Sequence, residues 1–218
     1  MSSFRSPVLF LDFDGTLVES QKVIYEAVYH IFDREDIQPP SFEEYYVGLR
    51  HPFLDFYRSR GVKAHEDDIG SVFDRFMANH TYDFFSDTLP FLQSTFFRGY
   101  TVVVISGNTI ETIERVFQKH TVTPYVRKIV GRAYDKETVF RKTMDSLRVS
   151  PKQVVAVGDS ISDVEGARAS GIERAYGILR GPARTSKIQQ VMKDSGAHAV
   201  IGSLHEVWNY ERIPMILS

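Results

Sequence analysis

The stretch that decides the fold is residues 8–17, with the sequence VLFLDFDGTL. Four consecutive apolar residues, Val8–Leu11, predict a short strand that is buried on both faces, as in a parallel sheet. Asp12 and Asp14 follow with one residue between them, so in extended backbone both side chains would leave on the same face. Gly15 permits a sharp turn and a close approach of the backbone to a ligand. The stretch predicts a buried strand that ends in two carboxylates.

Asp and Gly are also ordinary turn residues, and a simple turn is the alternative interpretation of this stretch. The complete string behind an apolar strand favours a functional site, because open parallel sheets bind ligands at the carboxyl ends of their strands.

Composition limits the remaining possibilities. The 218 residues suffice for one large domain, or for one domain with a smaller insert. A formal charge of -2 gives no general attraction to nucleic acid or to an anionic membrane. The chain contains no cysteine, which excludes disulfides, thiolate catalysis and cysteine-bound zinc. No segment resembles a signal peptide, and no apolar run approaches the roughly 20 residues that span a bilayer, so we expect a cytoplasmic protein.

From residue 100 onward, strand-like and helix-like patterns alternate. Strands are predicted at residues 101–105, 128–131, 154–157, 173–178 and 197–201, with amphipathic helical patterns between them. Such alternation predicts an α/β fold in which helices cover both faces of a parallel sheet.

Residues 18–87 have a different character. Helical spacing and large aromatic side chains dominate there, with no convincing strand, and we interpret the aromatics as the core of a small helical bundle. We therefore predict a core domain of residues 1–17 and 88–218 with a helical insert at 18–87. The insert leaves the core just beyond the two acids, so we expect it to lie over them.

Polar groups also follow two later strands. Ser106-Gly107-Asn108 follows the strand at 101–105, and GDSISD at 158–163 follows the strand at 154–157. Lys136 opens a helix between them. Because the ends of parallel strands meet at one sheet edge, a hydroxyl, a lysine and four carboxylates should converge.

Such a set suits phosphoryl transfer. A phosphate monoester is a dianion, and its attack by a carboxylate needs positive charge from a hard cation and from a lysine. Asp12 and Asp159, with the backbone carbonyl of Asp14, could supply oxygen ligands to Mg²⁺. The downstream residues also have structural alternatives. Asn108 could cap a helix in a capping box with Glu111. Ser160 and Asp163 would suit the start of a helix, and lone lysines are usually solvated. For Asn108 we favour the cap.

The ordered set DFDGTL, Ser106, Lys136 and GDSISD resembles the four motifs of the haloacid dehalogenase superfamily, and the insert resembles its helical cap of the C1 type. This resemblance implies a Rossmann-like core, a Mg²⁺ cofactor and catalysis through an aspartyl-phosphate. By it, Asp12 is the nucleophile and a metal ligand, and Asp14 is the general acid/base that binds metal through its carbonyl. The remaining implied roles are phosphate binding by Ser106, Gly107 and Lys136, and metal binding by Asp159 and Asp163.

One departure concerns the lysine. A proline often follows it in the family, whereas Glu137 follows Lys136, which leaves Lys128 and Lys142 as less attractive alternatives.

An acid at Asp14 resembles the phosphatases and phosphomutases of the superfamily. We expect a phosphatase acting on a small phosphorylated metabolite, similar to the phosphoglycolate phosphatase branch, with no nucleic-acid or membrane partner. The alternatives are a phosphomutase of the β-phosphoglucomutase type and a non-catalytic binding protein on the same scaffold, which would have lost an acid that this chain retains. Arg50, after Gly48 in the insert, is the predicted contact to an anionic part of the substrate; a solvated arginine beside a turn is the alternative.

Overall fold

The computed structural model describes residues 6–78 and 80–211, and six strands are found in these ranges. All of them are parallel, in the order β3-β2-β1-β4-β5-β6. The strands are β1 (Val8–Leu11), β2 (Thr101–Ile105), β3 (Lys128–Val130), β4 (Val154–Gly158), β5 (Arg174–Ile178) and β6 (Ala199–Ile201). Each lies within a few residues of its predicted position.

Alternate residues of each strand point to opposite faces of the sheet, and both faces are apolar. One face carries Leu9, Leu11, Val102, Val104, Val155 and Val157. The other carries Val8, Phe10, Val103, Ile105, Val154 and Ala156. A sheet that is apolar on both sides must be covered on both sides, which explains why its strands are continuous apolar runs.

The covering helices follow the strands in the chain. They are α5 (Thr88–Phe97), α6 (Ile110–Lys119), α7 (Lys136–Leu147), α8 (Ile161–Ala169), α9 (Ser186–Asp194) and the short α10 (Val207–Tyr210). Phe91 of α5 and Phe117 of α6 pack on the first face. Phe140 of α7 and Ala167 of α8 pack on the second. The predicted α/β fold, a Rossmann-like parallel sheet with helices on both faces, is confirmed.

The chain between β1 and α5 is helical in its described part. It forms α1 (Gln21–Asp33), α2 (Phe42–Gly48), α3 (Phe53–Arg58) and α4 (Glu66–Ala78). These helices have an apolar cluster of their own, which includes Val28 and Phe32 of α1, Tyr57 of α3 and Val72 of α4. Most of the large side chains in this cluster are aromatic, in agreement with the predicted use of rings to fill a small bundle.

The two connections between this helical segment and the sheet run side by side. Val18 forms an antiparallel bridge with Phe84. Glu19 N donates to the carbonyl of Asp83 at 2.9 Å, and Thr88 Oγ1 donates to the carbonyl of Leu17 at 2.7 Å. The helical segment is therefore joined to the sheet edge through one narrow double connection. The boundaries between a core of 1–17 and 88–218 and a cap of 18–87 stay a prediction.

The sheet topology determines where a ligand can bind. From β1 the chain proceeds to β2 and β3 on one side, then crosses to β4 on the other side of β1. The loops after β1 and β4 diverge at this point and leave a crevice at the carboxyl edge, which is the usual binding position in open α/β sheets. Within the described ranges, no helix combines the length and the apolar character that crossing a bilayer requires.

Candidate active site

Asp12 and Lys136 form the centre of the site. Asp12 directly follows β1, and its backbone N–H donates to the carbonyl of Val157 on β4 at 2.9 Å, so it is held at the diverging strand ends. Lys136, the first residue of α7, donates from Nζ to Asp12 Oδ1 at 2.7 Å and to the carbonyl of Ile105 at 2.9 Å. Both side chains are buried. The structure thus places Lys136 beside the first acid, whereas Lys128 and Lys142 are exposed.

The position of Lys136 depends on close packing between α7 and α8. A Cβ atom built at Gly166 of α8 would lie 2.6 Å from Cβ of Lys136 and 3.0 Å from the backbone nitrogen of Glu137. A side chain at residue 166 would therefore push the start of α7 away. Asp135 caps α7, because its side chain accepts from the N–H of Thr138 at 3.1 Å.

Three carboxylates meet next to the lysine. One oxygen of each of Asp12, Asp159 and Asp163 lies within 4.8 Å of the others. Asp163 Oδ1 is 2.7 Å from Lys136 Nζ, so the ammonium lies between two acids. The Ser160–Asp163 pair also forms the capping box at the start of α8, which orients Asp163. The helix-start interpretation of Asp163 is therefore confirmed, and the same side chain also lies in the acid cluster.

The electrostatics of the trio favour a bound cation. Burial raises the pKa of Asp12 above its ordinary value, although Lys136 opposes the shift. Burial and the charge of Asp163 raise the pKa of Asp159 to about 7. Burial by itself would lower the pKa of Lys136, but Asp12 and Asp163 raise it above its ordinary value, so one positive charge faces three acids. Clustered carboxylate oxygens without sulfur or imidazole are the donor set of a hard cation, and these residues fit Mg²⁺.

Asp14 lies on the side of the crevice formed by the loop after β2. Its Oδ2 accepts from Ser106 Oγ and from Asn108 Nδ2, both at 3.3 Å. Burial raises the pKa of this carboxyl, against the effect of these hydrogen bonds. A carboxyl with a raised pKa is suited to give and accept a proton. Gly107, next to Ser106, lines the same crevice.

The favoured cap interpretation of Asn108 is wrong. The residue that caps α6 is Thr109, whose Oγ1 accepts from the N–H of Thr112 at 3.1 Å. The helix begins one residue later than the capping-box pattern suggests, because Thr109 is itself a good cap. The side chain of Asn108 is left free to reach Asp14, with its Nδ2 also 3.3 Å from the hydroxyl of Tyr82.

Two residues that the sequence did not single out contact Asp159. Gln21, at the start of α1, donates from Nε2 to Asp159 Oδ2 at 2.8 Å. The hydroxyl of Tyr46, on α2, donates to the carbonyl oxygen of Asp159 and lies 3.0 Å from Oδ2. Nothing in the local pattern separates Tyr46 from the other rings of the segment, whereas Gln21 is a polar side chain buried at the first position of a helix.

Gly15 lets these groups come together. Its φ is +71°, a left-handed conformation that favours glycine. A Cβ atom at this position would lie 2.0 Å from Asp159 Oδ2 and 2.9 Å from Nε2 of Gln21. Glycine is therefore required at position 15, both by the backbone conformation and by the closeness of Asp159.

The crevice continues into a cavity of about 290 Å³ between the sheet edge and the helical segment. All the predicted site residues line it, namely Asp12, Asp14, Arg50, Ser106, Gly107, Lys136, Asp159 and Asp163. Several contacts close the helical segment over the core. Arg50 Nε is 3.0 Å from Oε2 of Glu165 on α8, and Arg132 forms a two-pronged pair with Asp74 on α4 at 2.8 and 3.0 Å.

The chain resembles known proteins over most of its length. The family model described as haloacid dehalogenase-like hydrolase matches residues 8–176, which is more than half of the chain. The chain belongs to this family of hydrolases, and the predictions of the family and of an enzyme are confirmed.

Similar proteins include two bacterial enzymes. A 5′-nucleotidase of Pseudomonas aeruginosa is 25% identical over 182 residues, which are 78% of this chain and 82% of that protein. A phosphoglycolate phosphatase of Aquifex aeolicus is 23% identical, over 78% of this chain and 84% of that protein. Among solved structures, a haloacid dehalogenase-like family hydrolase of Streptococcus pneumoniae superposes with a TM-score of 0.72 at 20% identity, over 94% of this chain and 98% of that chain.

Proposed function

We propose that the protein is a Mg²⁺-dependent phosphatase that hydrolyses a small phosphate monoester through an aspartyl-phosphate on Asp12. The observation that carries this proposal is the placement of Lys136 Nζ, 2.7 Å from both Asp12 and Asp163 in a buried acid cluster. A lone buried ammonium would suffice to neutralise one carboxylate. The excess of acids over lysine suits a site that also takes a dication and a phosphate dianion.

In the first step, the carboxylate of Asp12 attacks phosphorus and the ester P–O bond breaks. Asp14 donates a proton to the leaving alcohol oxygen, and its burial-raised pKa favours the protonated form from which it does so. Ser106, the N–H of Gly107 and Lys136 hold the phosphoryl oxygens. Bound Mg²⁺, held by Asp12, Asp159, Asp163 and the carbonyl of Asp14, would neutralise charge on the phosphoryl group.

In the second step, Asp14 takes a proton from a water molecule, which attacks phosphorus and breaks the bond to Asp12. The carboxylate of Asp12 and inorganic phosphate are formed. One residue therefore acts as an acid and then as a base, which a carboxyl in a partly desolvated site can do.

The similar proteins support a small phosphorylated metabolite as the substrate, because one of them is named a 5′-nucleotidase and another a phosphoglycolate phosphatase. We propose no nucleic-acid or membrane partner, in line with the charge balance of the chain. We also propose a cytoplasmic location.

Trapping of the intermediate tests the proposal. With an activated aryl phosphate and Mg²⁺, Asp14→Asn should accumulate a chain that carries a phosphoryl group on the peptide containing Asp12. Asp12→Asn should show neither the adduct nor turnover, while its circular dichroism stays that of the wild type. Wild-type turnover in Asp12→Asn would contradict covalent catalysis. Transfer of the phosphoryl group to a sugar phosphate in place of release as inorganic phosphate would identify a phosphomutase.

A further inference from the structure

We infer that the alcohol part of the substrate carries a flat, uncharged aromatic ring, and that this ring binds between α4 and the rings of α2 and α3. The inference rests on the proposed phosphatase function and names the class of its substrate. Three features of the cavity support it: the chemistry of its walls, the pairing of its arginines and a gap in the wall at Gly70.

The walls above the acid cluster are rich in aromatic rings. Rings from the helical segment and from the core line the cavity, namely Phe42, Tyr45, Tyr46, Phe53, Tyr57, Phe73 and Tyr134. Phe53 of the helical segment and Tyr134 of the core contact each other with ring centroids 5.8 Å apart. Aromatic walls favour flat apolar groups, which stack on or meet the edges of the rings.

The arginines of the lining are occupied by protein acids. Arg50 pairs with Glu165 and also donates from Nη1 to the carbonyls of Val47 and Leu49. Arg132 pairs with Asp74 and donates to the hydroxyl of Tyr134 at 2.8 Å. A second anionic group on the substrate could pair with either arginine only by displacing its protein acid, so these two side chains favour an uncharged group beyond the phosphate.

One wall of the cavity lacks a side chain where a helix should carry one. Gly70, Phe73, Asp74 and Met77 all line the cavity, and their spacing of three and four residues places them on one face of α4. A Cβ atom built at Gly70 meets no atom within 4 Å, so packing of the protein does not require glycine there. Glycine in a helix interior is destabilising, and this one leaves open the space next to Phe73.

Substrate pairs with similar leaving groups test the inference. With Mg²⁺, 2-phenylethyl phosphate should have a kcat/KM about tenfold or more above that of phosphoglycolate, since pocket contacts of this kind give roughly 10- to 200-fold discrimination. 2-Cyclohexylethyl phosphate, which is apolar but not flat, should fall between them. Inosine 5′-monophosphate tests whether a nucleoside supplies the ring. A preference for phosphoglycolate would overturn the inference.

Substitutions at Gly70 test whether the aromatic ring of the substrate binds next to α4. Gly70→Leu should lower kcat/KM for 2-phenylethyl phosphate about tenfold more than for acetyl phosphate, which has no ring. Gly70→Ala should raise the melting temperature and show the same selectivity to a smaller extent. Ser71→Leu, on the exposed side of the same helix, is the matched control and should leave the substrate ratio unchanged. Equal losses for both substrates in Gly70→Leu would contradict this location.

Binding separates failure of this inference from failure of the proposed function. In calorimetry with Mg²⁺, wild-type protein should bind 2-phenylethylphosphonate, which cannot be hydrolysed, about tenfold more tightly than phosphonoacetate, and Gly70→Leu should remove the difference. If no monoester is hydrolysed but this binding order holds, the phosphatase proposal fails and the aromatic site stands. If hydrolysis occurs and phosphonoacetate binds more tightly, the aromatic site fails and the phosphatase proposal stands.

Discussion

The hydroxyl of Tyr46 donates a hydrogen bond to the backbone carbonyl of Asp159 and lies 3.0 Å from its side-chain Oδ2. Tyr46 belongs to the helical segment, and Asp159 belongs to the acid cluster after β4. The contact therefore couples the position of the helical segment to the orientation of a predicted metal ligand. Partners that orient a ligand in this way contribute strongly to metal affinity.

Tyr46→Phe should weaken the apparent affinity for Mg²⁺ by about 10-fold, since the ring stays and only the orienting hydroxyl is lost. The measurement is the Mg²⁺ concentration that gives half-maximal turnover. Tyr25→Phe is the control, because it removes a hydroxyl of the same segment that donates to the carbonyl of Pro40, away from the acids. An equal Mg²⁺ requirement in Tyr46→Phe and the wild type would show that Asp159 is oriented without this contact.

The stability of the metal-free protein should fall as pH rises. Burial and the charge of Asp163 raise the pKa of Asp159 to about 7, so the folded chain holds a proton that the unfolded chain releases near pH 4. Because the folded state binds more protons, the contribution of Asp159 to the free energy of unfolding decreases as pH rises toward 7 and levels off above it. Between pH 6 and pH 8 this residue should account for a loss of about 1 kcal/mol.

Urea unfolding in EDTA at pH 6 and pH 8 measures this loss. Asp159→Asn removes this titrating group and should reduce the dependence between these pH values by about the same amount. Added Mg²⁺ should stabilise the wild type more at pH 8 than at pH 6, because protons compete with the cation for the same oxygens. A metal-free wild type that gains stability from pH 6 to pH 8 would contradict the assigned shift.

Gly166→Ala should reduce activity through Lys136. The new Cβ would lie 2.6 Å from the lysine Cβ, and 3.0 Å from the backbone of Glu137, which cannot rotate away. The start of α7 must then shift, which lengthens the salt bridge from Lys136 Nζ to Asp12 Oδ1. We expect kcat to fall about tenfold or more, as misplacement of a catalytic group by about 1 Å costs up to roughly 100-fold.

Arg168→Ala, at an exposed position of the same helix, is the control for general effects on α8. A kcat equal to that of the wild type in Gly166→Ala would show that the two helices adjust without moving the lysine.

The sheet and its edge could be predicted from the sequence because they depend on local patterns. Apolar runs such as Val8–Leu11 and Val154–Gly158 are typical of buried parallel strands, and parallel strands bring their carboxyl ends together whatever lies between them. The convergence of Asp12, Ser106 and Asp159 on one edge follows from this topology.

The contacts from the helical segment to the site could not be predicted in the same way. Tyr46 reaches Asp159 across 113 positions of the chain, and its ring looks like any core ring in the local sequence. The contact of Asn108 with Asp14 was missed because the local sequence favoured Asn108 as the cap of α6. The residue that caps this helix is its neighbour, Thr109. Sequence patterns predict contacts between residues that are near in the chain. The contacts of Tyr46 and Asn108 with the site instead depend on tertiary packing.

The pair of Arg50 and Glu165 gives a sharper test of the predicted specificity residue. Arg50 Nε lies 3.0 Å from Glu165 Oε2, and both side chains are partly exposed. The pair joins the loop after α2 to α8 of the core, so we predict that Arg50 contributes to specificity by holding the helical segment closed over a bound substrate.

A double-mutant cycle separates this role from direct contact with a substrate anion. If Arg50 acts by holding the helical segment closed, Arg50→Gln and Glu165→Gln should each lower kcat/KM for a large monoester about twofold to fivefold. This loss is the one expected for an exposed ion pair worth up to roughly 1 kcal/mol. The double variant should have a kcat/KM no lower than that of either single variant, because both substitutions remove the same interaction. Acetyl phosphate, which does not reach the helical segment, should be less affected. If Arg50 instead binds an anion of the substrate, Arg50→Gln alone should lower kcat/KM, and Glu165→Gln should leave it unchanged or raise it by freeing the guanidinium.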